Sequence, residues 1–288
     1  MAITIGGGIF IGGGIGFETG APVASTYPTV SGANEVFKFN YNTLAATANL
    51  ITDISSNTWH ATASQGTTGL TQPSGGAFND SGYYFRNAGT GSNGEGITAL
   101  GDSNYATYHN NNIPASSWAF ETHIYLENKA TYDSGMIMKP YGSALQSGIT
   151  IQQQSGSATA YRLGITFEAN GGAGSGTGPI INVADLTGGA WKHLVVSAVR
   201  TSAGNYRFYI FVDGVLQNAG GTAYNFVSAG IGGTAGLWSA PTIGSRLGKF
   251  DFIGSAPRMA YGLDNTRLII GNPFPTSGFT APTSAFTA

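Results

Sequence analysis

The stretch from Gly188 to Gly214 constrains the fold of this chain more than any other part of its sequence. It reads GGAWKHLVVSAVRTSAGNYRFYIFVDG. Successive side chains of an extended chain point to opposite faces, and between Trp191 and Ala198 each face is at least half apolar. Such a segment is typical of a strand that is buried on both sides. We therefore predict that Gly188–Arg200 occupies a central place in a sheet.

A second strand is predicted immediately after the first. A polar turn at Ser202–Asn205 leads into Tyr206–Val212, which is dense in aromatic and β-branched residues. This run ends at Asp213 and Gly214, a dipeptide suited to turns that need positive φ. The two runs and the short turn between them predict a central β-hairpin.

The composition of the whole chain favours β-structure. Of its 288 residues, 45 are Gly and 41% are hydrophobic, and we find no long stretch with the apolar spacing of an amphipathic helix. A chain of this size can bury a large core as a single unit. We predict an all-β protein whose short strands hide their edges as a two-sheet antiparallel sandwich. Further strands are predicted at Val36–Tyr41, Gly82–Arg86, Ile97–Leu100, Ser117–Leu126, Gly135–Lys139, Gly148–Gln152 and Tyr161–Phe167.

Charge and cysteine content exclude several classes of function. Only 9% of the residues are charged and the formal net charge is −2, so the chain builds neither a basic groove for nucleic acid nor a polybasic membrane patch. The cysteine count is zero, which excludes disulfides, a thiolate zinc site and a cysteine nucleophile.

Residues 1–17 lack the positive region of a signal peptide, and Gly interrupts every apolar run. We expect no nucleic-acid partner, no membrane insertion and synthesis in a cytoplasm.

The first seventeen residues predict an assembly arm. The sequence IGGGI occurs twice in them, and bare Gly backbone separates five large apolar anchors. Because consecutive Gly residues carry a large ordering cost, the arm is expected to gain order against another chain, as in strand addition. The anchors are Ile5, Ile9, Phe10, Ile11 and Ile15. A disordered Gly-rich leader is the alternative, although free leaders are normally polar.

Composition also divides the rest of the chain. Residues 18–33 contain two prolines and many small polar side chains, which is typical of a linker or an extended clip. The folded body is expected to span residues 34–271. Residues 272–288 carry no charge and combine Phe with Pro or Thr, which predicts an extended tail.

From Asn34 to Gly271 the order of elements resembles the laminin G-like, concanavalin A-like jelly-roll family. The matching pieces follow the family's order: a D-x-S-x-N turn at Asp53, Ser55 and Asn57; Tyr84-Phe85; Trp118, Phe120, Glu121 and His123; Trp191, His193 and Leu194; Tyr209–Gly214; Ile243-Gly244; and Gly262, Asp264 and Arg267. The resemblance implies a jelly-roll sandwich with extended N- and C-terminal arms.

The resemblance also raises the question of catalysis. Relatives with glucanase activity carry an E-x-D-x-x-E strand that places paired carboxylates on one face of a cleft. No such run exists here, since Glu121 is followed by Thr122 and His123. No two of the four histidines have a metal-ligand spacing, and His193 on its buried strand is predicted to be a hydrogen-bonded core residue. We expect the chain not to be an enzyme and to need no cofactor.

Calcium stays open as a ligand. Laminin G-like relatives sometimes hold calcium at the rim of the sandwich, and this resemblance points to three loop carboxylates. They are Asp80, Asp102 and Asp133. Each of them is the kind of residue that stabilises a turn by accepting backbone hydrogen bonds, which is the stronger alternative.

Two aromatic clusters are candidate glycan-binding sites, because exposed rings pack against the C–H faces of sugars while amides bind their hydroxyls. One cluster contains Tyr105, Tyr108 and Asn110, and the other contains Tyr224 and Trp238. Aromatic residues also fill the interiors of β-sandwiches, so a purely structural role is the alternative for both clusters.

The terminal segments suggest a biological setting. A Gly/Ile-rich arm before a laminin G-like jelly roll, with a Phe/Pro/Thr tail after it, resembles the surface proteins of tailed, cyanophage-like phages. The resemblance implies a non-enzymatic virion structural protein, such as a capsid decoration protein, head fibre or tail appendage. It would be made in the host cytoplasm and be extracellular after lysis. Its expected partners are other virion proteins and copies of itself, with a trimer favoured. A carbohydrate-binding adhesion module that recognises a surface glycan is the alternative.

Overall fold

The computed structural model describes residues 27–41, 50–58, 61–64, 70–71, 75–78, 85–87, 96–99, 116–127, 134–140, 148–153, 160–166, 180–203, 205–225, 245–247, 261–271 and 274–287. One 3-10 helix, Gly32–Asn34, lies within these residues. In the same ranges, no helix is long and apolar enough to cross a membrane.

Seventeen strands lie within the described ranges. They are β1 (Glu35–Phe39), β2 (Leu50–Ile51), β3 (Ala61–Ser64), β4 (Leu70–Thr71), β5 (Phe85–Asn87), β6 (Gly96–Ala99), β7 (Trp118–Leu126), β8 (Ser134–Pro140), β9 (Gly148–Gln153), β10 (Ala160–Thr166), β11 (Ile180–Thr187), β12 (Trp191–Ser202), β13 (Asn205–Val212), β14 (Val215–Leu216), β15 (Thr222–Asn225), β16 (Ser245–Leu247) and β17 (Tyr261–Ile270).

The strands form two antiparallel sheets. The nine-stranded sheet has the order β14-β13-β12-β7-β17-β5-β4, with β1 also paired to β17 and β15 also paired to β13. The eight-stranded sheet has the order β11-β10-β9-β8-β16-β6-β3-β2. The chain is therefore an all-β, two-sheet antiparallel sandwich, which confirms the fold class expected from the sequence.

The predicted hairpin lies in the interior of the nine-stranded sheet. β12 pairs with β13 on one side and with β7 on the other. His193 to Ala198 are all buried. The turn after β13 has φ of 50° at Asp213 and 78° at Gly214, as the dipeptide predicted.

The main core lies between the two sheets. Trp118, Phe120 and Val196 of the nine-stranded sheet pack in one apolar cluster with Ile149 and Leu163 of the eight-stranded sheet. This cluster uses one side of β7, β12 and β17. The alternation of side chains along those strands therefore sends their remaining residues to the outer face of the nine-stranded sheet.

A second apolar cluster covers that outer face. Val195 of β12, Phe211 of β13 and Ile269 of β17 pack against Phe274 and Phe279 from the C-terminal segment. This segment, residues 274–287, is called the C-terminal strap below. Thus the C-terminal strap packs on the sheet of its own chain.

Candidate functional site

A strip of polar side chains crosses the outer face of the nine-stranded sheet. Glu121 and His123 of β7 lie in register with Arg267 and Asp264 of β17, and His123 is also paired with His193 of β12. All five residues are at most 5% exposed. Charged groups that are this deeply buried must be paired, because an isolated buried charge is very costly. The charged side chains of this strip are therefore expected to have charged or hydrogen-bonding partners.

The D-x-S-x-N turn positions β1 beside this strip. Asp53 Oδ1 accepts hydrogen bonds from the backbone N–H of Lys38 at 2.9 Å and of Ser55 at 2.8 Å. Asn57 Nδ2 donates to the carbonyls of Glu35 and Val36 at 2.8 and 3.0 Å. The D-x-S-x-N turn thus holds in place the strand that carries Glu35 and Lys38.

A bulge then brings Glu35 and Lys38 to the same face. The register of β1 against β17 shifts between Glu35 and Phe37, and Lys38 lies opposite Arg267. In a regular strand, residues three apart point to opposite faces, and an extra residue at a bulge reverses that relation. As a result Glu35 Oε2 lies 2.8 Å from Lys38 Nζ, and Glu35 Oε1 accepts from Arg267 NH1 at 3.1 Å.

Arg267 is the centre of the network. Its Nε donates to Glu121 Oε2 at 2.6 Å, and its NH2 donates to the hydroxyl of Tyr27. Tyr27 in turn donates to Glu121 Oε1 at 2.5 Å, and His193 Nε2 donates to the same oxygen at 2.6 Å. Two carboxylates, Glu35 and Glu121, therefore pair with the basic side chains of Lys38 and Arg267.

The protonation states in the network follow from these contacts. Burial would raise the pKa of Glu121, but Arg267 and His193 outweigh it and lower that pKa to about 2. Burial and the Glu121 carboxylate raise the pKa of Tyr27 far above its usual range. At neutral pH the Glu121 carboxylate is therefore ionised, and Tyr27 keeps its proton and donates it to Glu121.

His123 stays neutral at the other end of the strip. Burial and the nearby His193 lower the pKa of His123 to about 3. The two imidazole rings lie 4.8 Å apart between centroids, and Phe78 packs edge-on against His123 at 4.7 Å. Burial in this apolar setting penalises the charged form of the imidazole, which explains the direction of the change.

The C-terminal strap is fastened at two points. Near its start, the N–H of Phe279 donates to the carbonyl of Gly214 at 2.9 Å. Near its end, the N–H of Phe286 donates to Asn265 Oδ1 at 2.8 Å, and Asn40 Nδ2 donates to the carbonyl of Phe286 at 3.2 Å. Between these points the strap passes over the polar strip.

A cleft with a mixed polar and apolar lining lies beside the strap. Its volume is about 650 Å³, and it opens between residues 27–38 and the strap. The floor includes Glu35, Lys38 and Arg267, and the lip includes Thr283 and Ser284 of the strap. We refer to this opening as the strap cleft.

The structure places the sequence-predicted site residues as follows. Four of the five glycan candidates lie outside the described residues: Tyr105, Tyr108, Asn110 and Trp238. The arm anchors also lie outside them: Ile5, Ile9, Phe10, Ile11 and Ile15. The same is true of the calcium candidates Asp80, Asp102 and Asp133. Tyr224 lies in β15 opposite Tyr206, and its side chain is also outside the description. The glycan, calcium and assembly sites therefore stay predictions.

His193 is the buried, hydrogen-bonded residue that the sequence predicted. Within the described ranges, no three or more His, Cys, Asp or Glu side chains form a group that could hold a metal ion.

Sequence reasoning missed the strap cleft. Composition places Tyr27 in a linker or an extended clip and the residues of the strap in an extended tail. A signal was present in the strands themselves, because Glu121 in WAFETHIYL and Arg267 in YGLDNTRLII are charged residues within otherwise buried segments. Because buried charges are normally paired, two buried residues of opposite charge are expected to be partners.

Comparisons with known proteins bear on the fold. No protein-family model matches the sequence, and no curated protein matches it. The chain is similar to the crystal structure of the binding domain of Paraclostridial Mosquitocidal Protein 1, with a TM-score of 0.53 and 11% identity over 84% of this chain and 50% of that one. It is also similar to a mutant of HCR D/C VPI 5995, with a TM-score of 0.53 and 10% identity over 84% of this chain and 50% of that one. This chain thus spans about half the length of each and shares its fold.

Proposed function

We propose that this chain is a non-enzymatic structural protein of a phage virion that displays its β-sandwich as an adhesion module for surface glycans. The observation that carries the adhesion role is the strap cleft, in which buried charged groups with fixed partners meet a lip of exposed hydroxyls. Ligand sites are typically concave and largely pre-formed, with a few precisely placed polar groups.

The shared fold supports the same role. One of the solved structures that this chain resembles is named as the binding domain of a mosquitocidal protein. A β-sandwich is a rigid scaffold on which binding residues can vary without changing the core. Function is still a property of the site on the fold, so the strap cleft remains the main argument.

The two carboxylates of the buried network argue against glycoside hydrolysis at the strap cleft. That reaction needs one carboxylic acid with a raised pKa to protonate the leaving group. Glu121 has a pKa of about 2 and is fully buried, so it cannot donate a proton at neutral pH. Glu35 is held between Lys38 and Arg267. Both carboxylates hold neighbouring side chains in place, which suits binding better than catalysis.

The virion role rests on the terminal segments. The apolar anchors of residues 1–17 and the absence of charge in residues 272–288 suit attachment to a particle. Tyr27 packs against Phe274 and Phe279 of the strap, with ring centroids 6.4 and 6.2 Å apart. Tyr27 therefore lies on the face of the sandwich that the strap covers.

A free or cell-surface carbohydrate-binding module is the second candidate. It is favoured by the burial of Phe274, Phe279 and Phe286 on the sheet of their own chain, at 4%, 3% and 8% exposure. A tail that is already packed needs no neighbour to hide its aromatic rings.

Removal of residues 1–17 separates the two candidates. If the chain is a virion protein, the shortened chain should keep its β-sheet circular dichroism and melting temperature but no longer co-sediment with phage particles. Normal incorporation without the arm would contradict the virion role. For the adhesion role, the full chain is tested on an array of surface oligosaccharides, and absence of binding to any of them would contradict it.

A further inference from the structure

We infer that the strap cleft is a subsite for a neutral pyranose, in which Lys38 and Glu35 bind two adjacent hydroxyls of the sugar. This inference rests on the adhesion role proposed above and gives it a location and a ligand class. The cleft is distinct from the two aromatic clusters that the sequence suggested. Its residues belong to β1, β17 and the strap.

The floor of the cleft has spare hydrogen-bonding capacity of both kinds. Lys38 carries three N–H donors, and its contact among the described residues is with Glu35. Arg267 carries five N–H donors, of which three are used by Glu121, Glu35 and Tyr27. Each carboxylate oxygen of Glu35 accepts one bond and can accept another. A hydroxyl both donates and accepts, so a pair of adjacent hydroxyls matches this floor.

Charge balance selects against an acidic ligand. The two carboxylates of Glu35 and Glu121 are matched by Lys38 and Arg267, so the network has no surplus positive charge to attract an anion. A carboxylate or sulfate would also have to approach Glu35, and like charges at close range repel strongly. A neutral polyhydroxy ligand avoids both costs.

The floor is rigid before any ligand arrives. Arg267 contacts the rings of Tyr27 and Phe286, with its guanidinium carbon 5.7 and 4.5 Å from their centroids. Lys38 and Glu35 are held on β1 by the turn at Asp53 and Asn57. Groups that are already fixed lose little entropy on binding, which favours affinity.

The lip completes the subsite. Thr280, Thr283 and Ser284 are exposed residues of the strap, and within the described part of the chain their hydroxyls form no hydrogen bond. The volume of about 650 Å³ falls within the range of clefts that bind small ligands. The cleft can therefore accommodate a sugar together with part of its neighbour in a glycan.

The inference is tested with the full chain on an array that contains neutral pyranose oligosaccharides and their carboxylated counterparts. Ser284→Trp places a large ring at the lip, and Ser277→Trp places the same ring on an exposed part of the strap outside the cleft. We expect Ser284→Trp to weaken binding of a neutral oligosaccharide at least tenfold and Ser277→Trp to leave it within twofold of the parent. Lys38→Met, which keeps the aliphatic stem, should also weaken binding of the neutral oligosaccharide at least tenfold. Melting temperatures of all variants are recorded to show that they are folded.

Each outcome has a distinct meaning. If the parent binds neutral oligosaccharides and both Trp variants bind equally well, the subsite is wrong and the adhesion role survives. If cleft-dependent binding is confined to carboxylated sugars, the assigned ligand class is wrong. If the parent binds no oligosaccharide, the adhesion role fails and the subsite fails with it.

Discussion

Arg267 faces Glu121 across the β7–β17 pair, and its Nε donates to Glu121 Oε2 over 2.6 Å at a position where Glu121 has no solvent exposure. Breaking a buried ion pair leaves an uncompensated charge, which typically costs about 3–5 kcal/mol. We expect Arg267→Met to lower the free energy of unfolding by about that amount, measured by chemical denaturation at pH 7.

The pair of Lys192 and Asp213 provides the control for that prediction. Its Nζ–Oδ2 distance is 2.8 Å, but the two side chains are 24% and 43% exposed. Exposed ion pairs contribute about 0–1 kcal/mol, so Lys192→Met should have a small effect. Equal losses in the two variants would show that burial of the Arg267 network does not matter to stability.

The buried strip should make the protein acid-sensitive. The pKa of His123 is about 3 in the folded chain against an ordinary value of 6.5, so below pH 6.5 the unfolded chain takes up a proton that the folded chain does not. The free energy of unfolding should then fall by up to about 1.4 kcal/mol for each unit by which the pH is lowered. Glu121, with a pKa of about 2 against 4.5, adds a second loss below pH 4.5.

His123→Phe isolates the first part of this dependence. Phe keeps an aromatic ring beside Phe78 and does not titrate. Between pH 6.5 and 4.5 the unfolding free energy of this variant should change less steeply with pH than that of the parent. Parallel curves for the two proteins would contradict the assignment to His123. Melting temperatures measured at half-unit intervals of pH are sufficient for the test.

The contact between the strap and the turn at Gly214 predicts a specific effect of adding one methyl group. A Cβ at Gly214 would lie 1.9 Å from the carbonyl oxygen of Phe279, and its φ is +78°. Gly220 has nearly the same φ, +75°, but nothing lies within 4 Å of its Cβ position. Gly220→Ala should cost about 1 kcal/mol from backbone strain alone. Gly214→Ala should cost clearly more and also displace the strap.

Limited proteolysis checks the displacement. Residues 280–285 should be cut faster in Gly214→Ala than in Gly220→Ala, while the sheet stays protected. Identical cleavage in the two variants would mean that the Gly214 contact does not hold the strap.

Assembly through the N-terminal arm is a prediction that the sequence alone supports. Deletion of residues 1–17 should convert an oligomer, with a trimer expected, into a monomer, because the five apolar anchors would be lost. Light scattering after size-exclusion chromatography measures the mass directly. A full chain that is already monomeric at micromolar concentration would contradict this prediction.

Much of the nine-stranded sheet was predictable from local pattern. The run from Trp191 to Val212 has a strand that is apolar on both faces and the turn residues that define a hairpin, and the structure places β12 of that hairpin between β13 and β7 in the interior of the sheet. The strand predicted at Ser117–Leu126 from the family resemblance corresponds to β7, Trp118–Leu126. In contrast, β11 at Ile180–Thr187 was missed, because IINVADLT contains an Asn, an Asp and a Thr that weaken the apolar pattern.

The strap cleft could not be predicted from local pattern. Its partners lie far apart in the sequence, since Tyr27 reaches Glu121 and Arg267. The bulge that puts Glu35 and Lys38 on one face also follows from pairing with β17. A sequence reader who assumes a regular strand would place them on opposite faces. Such sites depend on register, which only the assembled sheet defines.

The hydroxyl of Tyr27 is joined to Glu121 of β7 and to Arg267 of β17, two neighbouring strands in the interior of the nine-stranded sheet. Tension applied to the chain ahead of Tyr27 would therefore be carried into the interior of the sheet and shared between two long strands. An edge strand that carried the same load would peel away one hydrogen bond at a time. The buried network would thus also oppose a force applied to the chain ahead of Tyr27.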